Sequence, residues 1–541
     1  MTRKLLCLLL AVVMALGLMS FAPAEEAPTK ITVAGYMFGP IDDEKDVVTP
    51  AVEKMLKEKH GINVDIEVEY VEYANYSEIM APRLAGGTAP DVFLALSSNT
   101  LDTYYDQGVI ASWDIDFFKE NAPDVWAFVE AGGVNGDLAS QFDMWLEYAT
   151  KGDKMVVVPS LKPDGNMPYK TLIYRGDWIE KLGVTELPKT VDDFVDLMYA
   201  FTNDDPDGDG ENDTYGMSLT GMKALFGAYG MSCGFLGGSS YWYVDDGEVV
   251  SPDVSEKSKE VLSILAEMYA NGAIDPEYVK GKESADGAYW AASAGLINGL
   301  YGASANASID HFRLKEVLND AGGPVAKTYW EVNGDDATFV YAPWPAGPDG
   351  DYGWAVGYAV AVSESAVYNK ALEEDPDKLA LIFQIMNAFA TDDELYMLAA
   401  WGIEGEQYTM VDGKPVRNPE MTNADFNEVG VWGCRSLYGA DRAFSELAYN
   451  LAFYNDASIA NRLNYFKLDQ YNSYIQDAVS VTLPSAGTLL TDLNTLRDEY
   501  FNAVIHGEKN LEEDWDAYVA EYMAIGGQTL HDEANDWYAN K

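Results

Sequence analysis

Residues 205–216 carry the densest set of side chains able to do chemistry. Asp205, Asp207, Asp209, Gly210, Glu211 and Asp213 fall on positions 1, 3, 5, 6, 7 and 9 of a calcium loop. In such a loop alternating carboxylates point inward, the glycine permits the sharp turn, and Glu211 supplies its backbone carbonyl. Position 12 is Gly216, so the bidentate glutamate is missing. The site expected is a structural Ca2+ site of modest affinity, with a solvated acidic turn as the alternative. Catalytic signals are weaker. Past the first 24 residues the histidines are His60, His311, His506 and His531, and no two have metal-ligand spacing. Gly230-Met231-Ser232-Cys233-Gly234 matches the G-x-S-x-G elbow of hydrolases. An elbow needs a strand before it and a helix after it, whereas Gly237-Gly238-Ser239-Ser240 follows here with no helical period, so no catalytic residue is assigned. Paired carboxylates for glycoside hydrolysis are not diagnostic, because 88 Asp and Glu make such pairs by chance.

The aromatic content points to binding. With 13 Trp, 35 Tyr and 20 Phe the chain is 13% aromatic. A sugar ring has an apolar C–H face and a fringe of hydroxyls, so its sites need flat aromatic surfaces beside polar groups. The candidates near expected strand ends or glycine-rich turns are Tyr36, Trp178, Tyr241, Trp242, Trp290, Tyr301, Trp344, Trp354 and Trp401. For each the competing role is a buried aromatic with a satisfied polar tip. Tyr36, ending the first strand, and Tyr301, in Gly299-Leu300-Tyr301-Gly302, are favoured. Trp178 has packing beneath a hinge as its alternative. Arg175 is a candidate partner for a uronate carboxylate, with a structural ion pair as the stronger alternative.

Composition narrows the function class. Against 88 acidic residues stand 35 Lys and Arg, a formal net charge of −53, which excludes sequence-independent attraction to nucleic acid or anionic lipid. At 48% hydrophobic and 23% charged, the 541 residues describe a folded globular chain with room for two large lobes. Residues 1–24 read as an export signal: Arg3 and Lys4, an apolar stretch at 5–18, and Ala22-Pro23-Ala24 as a cleavage site before Glu25. Cys7 has no lipobox context, so a lipid anchor is not expected. Cys233 and Cys434 leave open a disulfide or two buried thiols.

The positioning elements follow from periodicity. Residues 31–36 read as a buried strand. Thr49-Pro50, then Val52, Met55 and Leu56, read as a capped helix ended by Gly61. Val64, Ile66, Val68 and Tyr70 alternate with Asp65, Glu67 and Glu69 as a strand; Tyr76, Ile79 and Leu84 mark a helix; residues 92–96 give a third strand. This β-α-β-α-β start predicts a largely parallel sheet with ligands bound beyond the carboxyl ends of its strands. Further helices are expected at 191–200, 256–269, 377–389, 489–506 and 511–526, and strands near 155–158, 172–174 and 355–362.

Four stretches together resemble the extracellular solute-binding proteins of family 1, the ligand-capturing subunits of ABC importers, and within them the large oligosaccharide branch that includes alginate-binding proteins. They are Leu84-Ala85-Gly86-Gly87-Thr88-Ala89-Pro90-Asp91-Val92, Tyr174-Arg175-Gly176-Asp177-Trp178-Ile179 with Pro188-Lys189-Thr190, the acidic loop running to Gly216, and Gly402-Ile403-Glu404-Gly405-Glu406-Gln407-Tyr408. The resemblance implies an α/β, two-lobe periplasmic-binding-protein type II fold with a hinge and a helix-rich C-terminal region. Crossings are expected at 159–169, at 345–353 and after Tyr408. These give an N-terminal lobe of 25–160 with 354–408 returning to it, and a C-terminal lobe of 161–353 completed by 409–541. The implied function is non-enzymatic capture of a carbohydrate by an exported monomer for ABC permease subunits. A secreted glycan-active hydrolase and a sensor presenting to a receptor kinase are the alternatives.

Overall fold

Burial of every second, or every third to fourth, residue builds the first elements. β1 (Thr29–Met37) buries Ile31 and Val33. α1 (Val48–His60) buries Val48, Val52 and Leu56 on one face and ends where Gly61 turns at φ +70°. Its cap is Asp46 rather than the expected Thr49: Asp46 Oδ1 accepts the N–H groups of Val48 and Thr49 at 3.0 and 2.9 Å, so Thr49 lies inside the first turn. β2 (Val64–Glu72) buries Val64 and Ile66 as the alternation predicts, then changes phase, with Val71 buried and Tyr70 exposed. α2 (Tyr76–Ala85), β3 (Val92–Ala95) and α3 (Ser98–Asp106) follow. β1 is parallel to both β2 and β3. The computed structural model describes residues 27–37, 39–72, 75–134, 136, 142–161, 170–237, 240–280, 287–309, 311–315, 322–355, 360–411, 413–438, 444–452 and 474–541.

After β4 (Val158–Leu161) the chain enters a second sheet. Its elements are β5 (Lys170–Arg175), α4 (Gly176–Lys181), α5 (Val191–Asn203), β6 (Tyr215–Met217), α6 (Leu219–Ala228), α7 (Glu256–Ala270), α8 (Gly287–Ile297), β7 (Tyr301–Ser308) and β8 (Phe339–Ala342). The strand order is β8-β5-β7-β6, with β5 antiparallel to β7 and β8, and β6 parallel to β7. β9 (Trp354–Ala355) leads back to β10 (Val360–Tyr368), which inserts antiparallel between β3 and β4 and completes the order β2-β1-β3-β10-β4. α9 (Pro376–Thr391) and α10 (Asp393–Trp401) join that core. β11 (Tyr474–Ile475) pairs in parallel with β9. Then α11 (Ala486–Ile505), α12 (Leu511–Tyr522) and α13 (Gln528–Asn540) pack into the second core.

One core holds Ile31, Val33, Trp113, Phe383 and Phe426, and the other holds Trp178, Phe201, Leu265, Trp344 and Trp515. The third return differs from the expected position after Tyr408. Phe426, Val431, Cys434, Leu437 and Phe444 belong to the first core, and Val479 is the next residue of the second. The segment is held by Glu428, whose carbonyl accepts the Asp42 N–H at 3.1 Å and whose carboxylate pairs with Lys45 at 2.6 Å. Cys233 and Cys434 lie in different cores and are free thiols; burial pushes the Cys233 thiol up to about 12.

Candidate functional site

Strand register decides which end of each sheet meets the crossings. Leu161, ending β4, pairs with Val360, beginning β10. Because β10 runs antiparallel to β3 and parallel pairing joins β3 to β1, the carboxyl ends of β1 and β3 lie at that same end. In the second sheet Lys170, beginning β5, pairs with Ser308, ending β7, and Leu172 pairs with Ala342, ending β8. The carboxyl ends of β1, β3, β7 and β8 thus all gather at the crossings, where open α/β sheets hold ligands.

Four of the sequence candidates fall there. Tyr36 pairs with Val71 at the carboxyl end of β1; its side chain lies outside the described residues. Trp344 follows β8 and is buried, and Trp354 in β9 is half-buried; their rings stack with centroids 5.6 Å apart. Half-buried Trp242 is tied to the third crossing: its N–H donates to Asp477 Oδ1 at 2.9 Å and its carbonyl accepts the Ala478 N–H at 2.8 Å. Its neighbour Tyr241 donates its N–H to the Ser232 carbonyl.

Arg175, Trp178 and Tyr301 lie at the other end of the second sheet. Arg175 ends β5, where its guanidinium donates to both oxygens of Asp177 at 3.1 and 2.6 Å, to the Leu296 carbonyl and to Asn333 Oδ1. Its ion-pair partner is Asp177, two residues along the chain. Trp178 is 1% exposed and packs edge-on to Phe201. Tyr301 begins β7, and its hydroxyl donates to buried Asp275 at 2.8 Å beside a cavity of about 380 Å³ lined also by Ser218 and Lys280. Trp290 on α8 is exposed and stacks on His311. Trp401 ends α10 with the Arg417 guanidinium 4.3 Å from its ring centroid.

Sequence reasoning missed the charged groups at the crossing end. Burial, and then the charge of Lys223, push the Lys170 ammonium down to about 8; burial also lowers Lys223. Burial pushes the Asp477 carboxyl up to about 7, against the hydrogen bonds it accepts from Val479 and Trp242. The one signal available was scarcity, since each cation is conspicuous where acidic residues outnumber basic ones 88 to 35.

The acidic loop joins α5 to β6. Oxygen atoms of Asp205, Asp207 and Asp209 come within 4.8 Å of one another, while the Glu211 and Asp213 carboxylates stand outside that group and are exposed. Gly208 and Gly210 turn at φ +82° and +87°. Asp205 Oδ1 accepts the N–H groups of Gly208 and Gly210 at 2.9 and 3.4 Å. Desolvation opposes the shift, but these donors and the Lys181 charge hold the Asp205 carboxyl below the usual range. Three hard oxygen donors on a glycine-turned loop fit a divalent cation such as calcium. The 230–234 stretch does not form an elbow: helix α6 precedes it and strand Tyr243–Asp245 is the next regular element.

The family model of bacterial extracellular solute-binding proteins matches residues 42–394. The curated protein YtcQ of Bacillus subtilis (strain 168), a polygalacturonan/rhamnogalacturonan-binding protein, is 20% identical over 404 residues, covering 73% of this chain and 71% of its own. The ABC-transporter substrate-binding protein FusA of Streptococcus pneumoniae, solved in complex with kestose, aligns with a TM-score of 0.64 at 18% identity, covering 95% of this chain and 100% of that one. Alginate-binding protein AlgQ2, solved without calcium ion, aligns with a TM-score of 0.63 at 15% identity, covering 95% and 99%. At these identities the structural likeness is one of fold: two α/β lobes of the periplasmic-binding-protein type joined by a hinge.

Proposed function

The chain belongs to the bacterial extracellular solute-binding proteins, and from that premise we propose that it captures an oligosaccharide between its lobes for the membrane subunits of an ABC importer. The observation carrying the reading is the gathering of strand ends at the crossings, with Trp242, Trp344 and Trp354 beside them. An aromatic surface flanked by backbone and carboxylate groups suits a sugar ring. YtcQ and AlgQ2 are named for polysaccharide ligands, and FusA was solved with kestose.

In this reading the protein is exported as a monomer, its signal removed after Ala24, and it returns its ligand chemically intact. Among the described residues no helix is long and apolar enough to cross a membrane. Asp205, Asp207 and Asp209 hold a structural calcium ion that pins the loop between α5 and β6. A ligand touching both lobes favours the closed form by its differential affinity for that form. Calorimetric titration with a panel of oligosaccharides tests the reading, combined with small-angle scattering and chromatography of the recovered sugar. Binding with a smaller radius of gyration and no new reducing ends is expected. Binding of no oligosaccharide overturns capture, and sustained turnover transfers the chain to the hydrolases.

A further inference from the structure

The cavity beside Tyr301 lies at the end of the second sheet away from the crossings. Tyr301 begins β7, and Ser308, which ends it eight residues along, pairs with Lys170 at the crossing end. A strand of that length spans roughly 23 Å, so the cavity of about 380 Å³ is separate from the interlobe cleft. Its floor is buried: Ser218, Leu219, Asp275, Ala292 and Tyr301 are each at most 8% exposed. Glu277, Lys280 and Leu300 stand exposed at its mouth, where the Lys280 ammonium pairs with the Glu277 carboxylate.

Asp275 is fixed at that floor. Ile274 bridges in parallel to Met217 and so extends the sheet past β6, and the Asp275 N–H donates to the Met217 carbonyl at 3.0 Å. Its Oδ1 accepts the Glu277 N–H at 2.8 Å, and its Oδ2 accepts the Tyr301 hydroxyl at 2.8 Å. The Tyr301 ring is in turn wedged against Gly295 of α8, where a Cβ would overlap it. An ionised carboxylate has room for about four hydrogen bonds. Both side-chain donors to Asp275 are neutral, and no ion pair reaches it among the described residues. Burial raises its carboxyl, opposed by the Tyr301 donor and by the charge of Lys280. Two carboxylates thus face one ammonium, and that ammonium is already engaged at the mouth.

A buried carboxylate short of donors is stabilised by a cation that brings its own N–H groups. The remaining lining sets the character of that cation. Leu219, Leu300, Ala291 and Ala292 form an apolar wall, and Tyr215 and Tyr301 supply aromatic rings, whose faces attract cations. A bare metal ion is a poorer match, since Asp275 and Glu277 belong to no group of three metal-ligating side chains among the described residues. The formal net charge of −53 also draws cations toward the surface. We propose that this cavity is a second binding site, outside the interlobe cleft, for a small organic ammonium compound. The ammonium sits on Asp275 and the carbon body lies against Leu219, Leu300 and Ala292. The site stands independently of oligosaccharide capture.

The test is calorimetric titration of the full chain with cyclohexylammonium and with cyclohexanol, which present the same ring with and without the charge. Cyclohexylammonium is expected to bind saturably and at least tenfold more tightly than cyclohexanol. Asp275→Asn keeps an oxygen to accept from Tyr301 and is expected to lose at least tenfold in affinity for the ammonium. Ala291→Phe fills the cavity from α8 while leaving the carboxylate in place. It is expected to abolish binding with the parent's melting curve retained, and it decides the matter should Asp275→Asn fail to fold. Equal affinity for ammonium and alcohol overturns the placement of a charged head on Asp275. Ammonium binding of parental strength in Ala291→Phe overturns the site and marks diffuse attraction to the acidic surface. Absence of saturable ammonium binding to the parent overturns the proposal outright.

Discussion

Trp354 stacks on Trp344 with ring planes 25° apart. Trp344 is buried two residues past β8, fixed in the core of the second lobe, and Trp354 opens β9, the strand that leaves for the first. Part of Trp354 remains accessible for a sugar or a fluorescence quencher.

These unequal environments separate two substitutions. Trp354→Ala is expected to weaken oligosaccharide binding by on the order of 1–3 kcal/mol with a small change in melting temperature. Trp344→Ala leaves a cavity in the core and is expected to cost about 3–5 kcal/mol of stability. Titration and thermal denaturation of both variants check this, and parent-like sugar affinity in Trp354→Ala would remove Trp354 from the site.

Tyr301 offers the opposite contrast. Its hydroxyl serves buried Asp275 at the far end of the sheet from the crossings. Burial raises the Asp275 carboxyl and the Tyr301 donor counteracts that rise. Tyr301→Phe leaves Asp275 with an unsatisfied oxygen, so a loss of about 1–3 kcal/mol in stability is expected with sugar affinity unchanged. Chemical denaturation and titration measure the two effects separately.

Asp477 gives a pH dependence of definite sign. Its folded carboxyl titrates at about 7, above an unfolded value of roughly 3.9. Between those values the folded chain binds the extra proton, so this group's contribution falls as pH rises from about 4 to about 7 and is constant above. Asp477→Asn keeps an oxygen to accept from Trp242 and Val479. It is expected to match the parent near pH 4 and to melt above it at pH 8, by an increment that grows through that window. A difference between the two melting curves that does not change with pH would show that Asp477 does not titrate there.

The first sheet was legible because its cues are local: alternation at Val64 and Ile66, the αL turn at Gly61, and short helix-length spacings between strands. The calcium-loop spacing is local too. Strand direction is not, and this is why Tyr301 and Arg175 looked like cleft residues. Glycines on either side of Tyr301 mark a turn, but only the pairing of β7 with β5 and β6 reveals that the turn is at the amino end. The late return of Phe426, Val431, Cys434, Leu437 and Phe444 to the first core brings together residues far apart in sequence, such as Lys45 and Glu428.

The acidic loop closes with a competition between two cations. Lys181, at the end of α4, sends its ammonium to the loop, close to Gly208, and its charge lowers the Asp205 carboxyl alongside the backbone donors. A calcium ion bound by Asp205, Asp207 and Asp209 binds the folded chain alone, so it adds RT ln(1 + [L]/Kd) to stability. Chelation of metal-loaded protein is expected to lower its melting temperature, and Asp207→Ala to remove that sensitivity. Lys181→Gln removes the resident cation, leaving the carboxylates less compensated before metal arrives. The variant is expected to melt below the parent in chelator yet to bind calcium about two- to fivefold more tightly, the span of an exposed ion pair. A parent melting curve unmoved by chelator would strike out the calcium assignment. Weaker calcium binding in Lys181→Gln would instead mean that the lysine braces the loop for the ion.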